Sequence, residues 1–364
     1  MKGDAALIPE RIRAATFKKI MTLARKHDLL LISGDLFDNP NPEPVAISMV
    51  REEFKKLKNN GVGIVFTPGA GELDENQSIA RFLAEISASH VFTETENCRP
   101  FIFSKDDQNI YIYGIPSSAD YHISTITKTE EEGFHLGLFY ADIDQNTAQE
   151  INPYKAYKLK KKAIRSLPLD FYAFGYNHDF KILKLHEKII GACSGSPEAT
   201  SYHETGDRYV ISLEIKNSEI IQIKRIKVNS ITMTESVMDC SEIDSQEPII
   251  NTLEYLKSGK VFLRLVLTGE RNFPLSVDDL EAFKKEFFSL TVVDNTFPTL
   301  HALIEKYREE NTLRGEFYRI LREKIEKNAI PESIEWKNLS IALNDLSEDK
   351  KKFAEEWLCS LKDA

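Results

Sequence analysis

The sequence predicts an α/β protein, and three observations carry that prediction. Short, fully apolar runs at residues 29–33 and 62–67 alternate with segments of helical spacing, the pattern of a sheet buried under helices. From Val91 onward, β-like runs separated by polar turns predict a second sheet. After Val228 the pattern changes again, to a small α+β segment and then a charged helical one.

Each element has a local reason. Ile12, Phe17, Ile20, Met21, Leu23 and Ala24 fall at helical spacing. The strand Leu-Leu-Leu-Ile-Ser follows and runs into Gly34-Asp35. Residues 45–59 read as a helix stopped by Gly61, and 62–67 as a strand closed by Pro68-Gly69. Residues 77–85 read as a helix. Residues 101–103 and 110–113 flank Asp106-Asp107-Gln108-Asn109, a hairpin signal. Further strands are expected at 136–140, 171–174, 188–192 and 209–215. In the last third, 260–268 and 290–293 read as strands and 277–288 as a helix. Residues 299–364 read as helical with a break at Pro331. The expected domains are 1–230, 231–298 and 299–364.

The chain has 364 residues and a net charge of −10, with 47 basic against 57 acidic side chains. That charge excludes a uniformly basic nucleic-acid coat and leaves only local patches for such binding. No run of about 18 apolar residues is present, so no membrane helix is expected. The first 12 residues lack the apolar core of a signal peptide. Cys98, Cys193, Cys240 and Cys359 form no C-x-x-C pair, and a cytoplasmic protein with buried free thiols is the expectation.

The most informative stretch is Ile32-Ser33-Gly34-Asp35-Leu36-Phe37-Asp38. Glycine permits a tight turn there, and the aspartate stands at the carboxyl end of a buried strand, where α/β sheets bind ligands. Later come Asp170-Phe171-Tyr172-Ala173-Phe174-Gly175-Tyr176-Asn177-His178, Gly195-Ser196-Pro197-Glu198 and Glu204-Thr205-Gly206. In this order the motifs resemble calcineurin-like metallophosphoesterases, and among them the SbcD-type DNA repair nucleases. The resemblance covers about residues 4–228 and continues loosely through 261–293. It implies a two-sheet metallophosphoesterase sandwich flanked by helices, with a small α+β capping domain and a helical C-terminal tail.

The same resemblance implies two metal ions, usually manganese, that activate water for attack on a phosphodiester. Carried over position by position, the ligand set is broken. In Asp4-Ala5-Ala6 the aspartate is kept and a family histidine is Ala6. Only three residues precede Asp4, so the first core strand is expected to be mostly absent. Asp35 holds the bridging-ligand position. Gly69-Ala70-Gly71-Glu72 replaces the ligand asparagine with Ala70 and the catalytic histidine with Gly71. Tyr140 and Tyr176 stand where the family has histidines, and His178 is kept. Asp35, His178 and Asp4 are therefore the metal-ligand candidates, manganese is the cofactor if a site persists, and no catalytic residue is assigned. Too few donors remain for two hard divalent ions.

The expected function is that of an SbcD-like repair subunit with lost or weak nuclease activity. The rival is an active metal-dependent nuclease or phosphodiesterase with a site rebuilt from Glu72, Asp38 or His135. Lys158, Lys160, Lys161, Lys162 and Arg165 form a basic stretch that is the expected DNA contact, with a solvated helix face as the plainer reading. Lys224, Arg225 and Lys227 form a second cluster on an expected β edge, where charge blocks aggregation. Phe317, Leu321 and Ile325 share one helical face, and Phe353, Trp357 and Leu361 another near the chain end. By the resemblance, such helices dock on an SbcC-type SMC-like ATPase, with packing of these stripes on the chain's own small domain as the alternative. A homodimer is a further assembly left open.

Overall fold

The computed structural model describes residues 8–37, 41–72, 82, 85, 89–93, 99–115, 126–142, 157–158, 164 and 167–327. The chain divides into two compact units, Met1–Thr232 and Met233–Ala364. In the first, helix α1 (Glu10–Ala24) begins after Pro9 and leads into strand β1 (Leu29–Ser33). Helix α2 (Pro44–Asn59) opens with proline in its first turn and carries Lys56 and Lys58 in its last, in line with the helix dipole. Gly61, at φ +77°, turns the chain into β2 (Gly63–Thr67). β3 (His90–Val91) completes a parallel sheet of order β1-β2-β3.

A seven-stranded sheet follows. It contains β4 (Phe101–Lys105), β5 (Gln108–Ile115), β6 (Phe134–Asp142), β7 (Tyr157–Lys158), β8 (Phe171–Gly175), β9 (Lys181–Leu185) and β10 (Lys188–Cys193). Its order is β4-β5-β6-β8-β10-β9, with β7 paired to β6. β5, β6, β8 and β10 run parallel. The β4–β5 hairpin turns on Asp106 and Asp107, both at positive φ (47° and 58°), the backbone that suits a two-residue hairpin. A separate antiparallel pair, β11 (Tyr209–Lys216) and β12 (Glu219–Lys227), ends the unit's regular structure.

The alternation of strand side chains sorts the core. Val65, Ile112, Leu136, Leu138 and Phe171 form one buried cluster that joins strands of both larger sheets, with Leu29, Leu31, Ile211 and Leu213 packed against it. Ile64 and Phe66, on the other face of β2, pack with Met21, Phe54 and Leu57 of α1 and α2. Tyr113, Phe139, Tyr172 and Phe174 face a third cluster with Ile126, Ile164 and Leu169. Polar ties run across the strand ends: Ser33 Oγ donates to the Phe139 carbonyl at 2.7 Å and Thr67 Oγ1 to that of Leu138 at 3.0 Å. Glu198, buried, accepts from Thr16 Oγ1 of α1 and from Ser230 N.

The second unit holds β13 (Thr232–Asp239), α3 (Glu247–Leu256), β14 (Val261–Thr268), β15 (Glu270–Arg271), α4 (Val277–Glu281), β16 (Ser289–Asp294), β17 (Phe297–Pro298), α5 (Leu300–Tyr307) and α6 (Leu313–Glu326). Its main sheet is β13-β14-β16, over a core of Ile249, Leu253, Leu263, Leu265, Leu280 and Leu290. Here the elements depart from the sequence reading in three places. β13, α3 and the short parallel pair β15–β17 are additional. The helix expected over 277–288 is α-helical only to Glu281 and continues as a 3₁₀ turn, Ala282–Glu286. The helical region breaks before Leu313, where Thr312 Oγ1 caps the new helix by accepting from Gly315 N at 3.2 Å. The helix expected at 77–85 and the break at Pro331 lie outside the described residues. Cys193 and Cys240 are free and buried, and no helix among the described residues is long and apolar enough to cross a membrane.

Gly175 lies where the end of β8 meets the end of β1. A Cβ there would sit 1.8 Å from the Ser33 carbonyl oxygen. Gly175→Ala is expected to destabilise by about 1–3 kcal/mol, because backbone must move to admit the methyl group. Gly61→Ala, where a Cβ meets nothing, carries only a positive-φ cost of about 1 kcal/mol. Urea denaturation of the two variants checks the order, and a larger loss at Gly61 would contradict it.

Candidate functional site

The site lies beyond the carboxyl ends of β1, β2, β6 and β8, where both larger sheets end together. Gly34 (φ 73°) and Asp35 (φ 54°) form a left-handed turn after β1. A Cβ added at Gly34 would fall 2.2 Å from the Tyr140 ring, and one added at Gly69 would fall 2.6 Å from Asp35 Oδ1. Two glycines thus let the turns after β1 and β2 close around Asp35 and Tyr140.

Glu72 locks those turns together. Its carboxylate is fully buried and accepts three backbone N–H groups: Asp35 at 3.0 Å, Phe37 at 3.0 Å and Gly69 at 2.9 Å. Burial pushes its carboxyl up to about 7, against the backbone donors that favour the ionised form.

Asp35 faces a phenol. Tyr140 Oη donates to Asp35 Oδ2 at 2.8 Å. Burial, the Asp35 charge and that hydrogen bond all push the Tyr140 hydroxyl up, so it keeps its proton. Tyr176, at φ 74°, sets its ring edge-on to Tyr140 with centroids 5.6 Å apart. The two tyrosines therefore form a packed ring pair, one of whose hydroxyls is bound to the Asp35 carboxylate.

His178 is held from behind. Its Nδ1 lies 2.8 Å from Glu204 Oε1. Glu204, buried, also accepts from Ser196 Oγ, Thr200 Oγ1 and Arg208 Nη2. Arg208, itself buried, donates to the His178 carbonyl at 2.8 Å and to Asp179 at 3.1 Å. The hydrogen bond to Glu204 raises the His178 imidazole above its usual range, and the Asp35 charge adds to the rise. Burial opposes ionisation of Glu204, yet the donors around it bring its carboxyl down to about 2. This arrangement orients one ring nitrogen and leaves Nε2 outside the pair, as a carboxylate–histidine couple does behind a ligand.

Of the residues singled out from sequence, the structure brings Asp35 and His178 to one end of the sheets. Asp4, Asp38, Lys160, Lys161, Lys162, Arg165, Phe353, Trp357 and Leu361 lie outside the described residues, as does the Lys158 side chain. Glu72 turns both oxygens to backbone rather than to the cleft. His135, at the opposite end of β6 from Tyr140, is buried and stacked on Tyr111. Its Nδ1 meets Tyr113 Oη at 2.9 Å and its Nε2 the Glu131 carbonyl at 3.1 Å. Both ring nitrogens are occupied there. Among the described residues no group of three or more His, Cys, Asp or Glu side chains is placed to hold a metal ion. Among the described residues, the candidate donors brought together here, one carboxylate hydrogen-bonded to a phenol and one imidazole, do not fit a two-metal centre. Sequence reading passed over Arg208, and it quoted Glu204 only within a motif, without a role. Glu204 contacts His178 across 26 positions, and no spacing rule reaches that far.

No family model matches the chain. It is 21% identical over 277 residues to the uncharacterized metallophosphoesterase YhaO of Bacillus subtilis, covering 71% of this chain and 65% of that one. It is 22% identical over 275 residues to the DNA double-strand break repair protein Mre11 of Saccharolobus solfataricus, covering 65% of this chain and 67% of the relative. A third relative, Mre11 of Methanopyrus kandleri, is 24% identical over 217 residues, covering 53% and 45%. The chain thus spans about two thirds or less of the length of these relatives. Among solved structures, TT1561 of Thermus thermophilus aligns with a TM-score of 0.36 at 11% identity, covering 60% of this chain and 94% of that one, a likeness too slight to carry an argument. The sequence relatives are metallophosphoesterases and Mre11 proteins, which supports the calcineurin-like superfamily expected from the motif order, and the mixed α/β fold is consistent with it.

Two outcomes follow from the charges. A carboxyl raised in the folded chain stabilises it fully below the unfolded value of 4.5 and loses that contribution as pH rises through about 7. The loss for Glu72 is on the order of 3 kcal/mol. Urea midpoints of the parent are expected to fall between about pH 5 and pH 8 more steeply than those of Glu72→Gln, and equal slopes would contradict this. In NMR titration, His178 is expected to ionise above 6.5 and Glu204→Gln to lower that value. An unmoved His178 would show that Glu204 does not hold it.

Proposed function

We propose that this chain is an SbcD-like, Mre11-related subunit that binds DNA in double-strand-break repair or recombination, without nuclease activity of the two-metal kind. One observation carries the reading: the Tyr140 hydroxyl occupies the Asp35 carboxylate, in a fold unit whose sequence relatives include Mre11. Ala70 and Gly71 remove two further family groups from the same turn. A phenol that keeps its proton satisfies Asp35 without a cation, so the turn geometry survives while the ligand shell does not. The domain plan proposed with this reading is a two-sheet phosphoesterase sandwich, a small α+β cap and a helical tail. By the same resemblance, the tail helices dock an SbcC-type SMC-like ATPase and manganese is the metal if one binds.

The test is a manganese-supplemented nuclease assay on linear duplex DNA, run beside fluorescence anisotropy with the same duplex at about 50 mM salt, where phosphate contacts are strong. Binding with the duplex left intact is the expected result. Cleavage would overturn the non-catalytic reading, and absence of binding would overturn the DNA role.

A further inference from the structure

Arg225 lies exposed on β12 opposite Ile211 of β11. Its guanidinium carbon stands 5.0 Å from the centroid of the Phe180 ring and 4.9 Å from that of Tyr209. The two rings meet edge to face, centroids 6.1 Å apart. Both rings belong to segments that hold His178. Phe180 is two residues beyond it, and Tyr209 follows Arg208, the donor to the His178 carbonyl.

Arg225 differs from the ion-paired arginines, as does Arg51, which lies over the single ring of Phe82. Arg25 pairs with Glu53, Arg208 with Glu204, Arg264 with Glu235 and Arg314 with Glu310. Among the described residues, Arg225 makes no hydrogen bond and no ion pair, in a chain with ten more acidic than basic side chains (57 − 47). Its neighbour Lys227 is taken by Asp207 at 2.5 Å. Stacking on aromatic faces fixes the plane of a guanidinium and leaves its N–H edge to accept a partner. That edge is a fork of donors matched to two phosphate oxygens. A lysine in the same place would offer charge without a fixed plane.

We propose that Arg225 is a phosphate-contacting residue, held by Phe180 and Tyr209, that grips the backbone of the bound DNA. The proposal rests on the DNA-binding reading above and adds the surface that does the binding. A phosphate contact carries a signature that a merely structural stack does not. Each neutralised phosphate contributes about 0.9 to the slope of log affinity against log salt.

The experiment measures affinity of the full chain for a labelled linear duplex across a salt series. Arg225→Gln is expected to bind several-fold more weakly and with a slope shallower by about one. Arg225→Lys is expected to keep the slope and lose part of the affinity, and it carries the test if Arg225→Gln fails to fold in a thermal melt. Lys285→Gln, which removes an exposed cation from the second unit, is expected to leave the slope unchanged. A parent that binds with a slope Arg225→Gln does not alter would overturn the inference and leave the DNA reading standing. Equal losses in Arg225→Gln and Lys285→Gln would reduce Arg225 to net charge alone and overturn it as well. A parent that binds no duplex would overturn both readings.

Discussion

Three backbone N–H groups converge on one buried carboxylate, and the geometry of the site depends on that convergence. Glu72 ties the turn after β1 to the turn after β2, so that Asp35 is held at positive φ with its side chain toward Tyr140. A buried carboxylate that lost these donors would be left without its solvation, and the donors without an acceptor, so the arrangement is kept or lost as a unit. Gly34, Gly69 and Gly175 serve the same convergence from the steric side, since each sits where a methyl group would strike the opposing turn, strand or ring.

What the locked turns present is a carboxylate bound to a phenol proton donor. The Tyr140 phenol is raised well above its usual range and remains a donor at any physiological pH. On the other side, Glu204 links the His178 imidazole to the Arg208 guanidinium. Asp35 and Glu204 are thus each met by hydrogen-bond donors of the protein itself.

Much of the first unit was readable from local pattern. The apolar runs at β1 and β2 and the helical spacing of α1 and α2 come from short-range periodicity, and the observed elements differ by a residue or two at their ends. Asp35 was marked by Gly34 and by its place after a buried strand. The sequence reading failed where structure depends on long-range pairing. β9 and β13 carry polar or mixed residues and are strands because a neighbour supplies the ladder. The helix expected over 277–288 tightens at Ala282, and β16 follows at Ser289. Glu72 read as a loop carboxylate, because its three partners are backbone groups, two of them more than 30 positions away. His135 looked like a spare ligand until its two ring nitrogens were traced to Tyr113 and Glu131.

On the proposed reading, Asp35 is satisfied by a phenol proton rather than by a pair of cations. Calorimetric titration of the purified chain with manganese tests it most directly. The account predicts no tight uptake of two ions per chain. Tight binding of two manganese ions would contradict it, because Asp35 would then have to exchange the Tyr140 hydroxyl for metal.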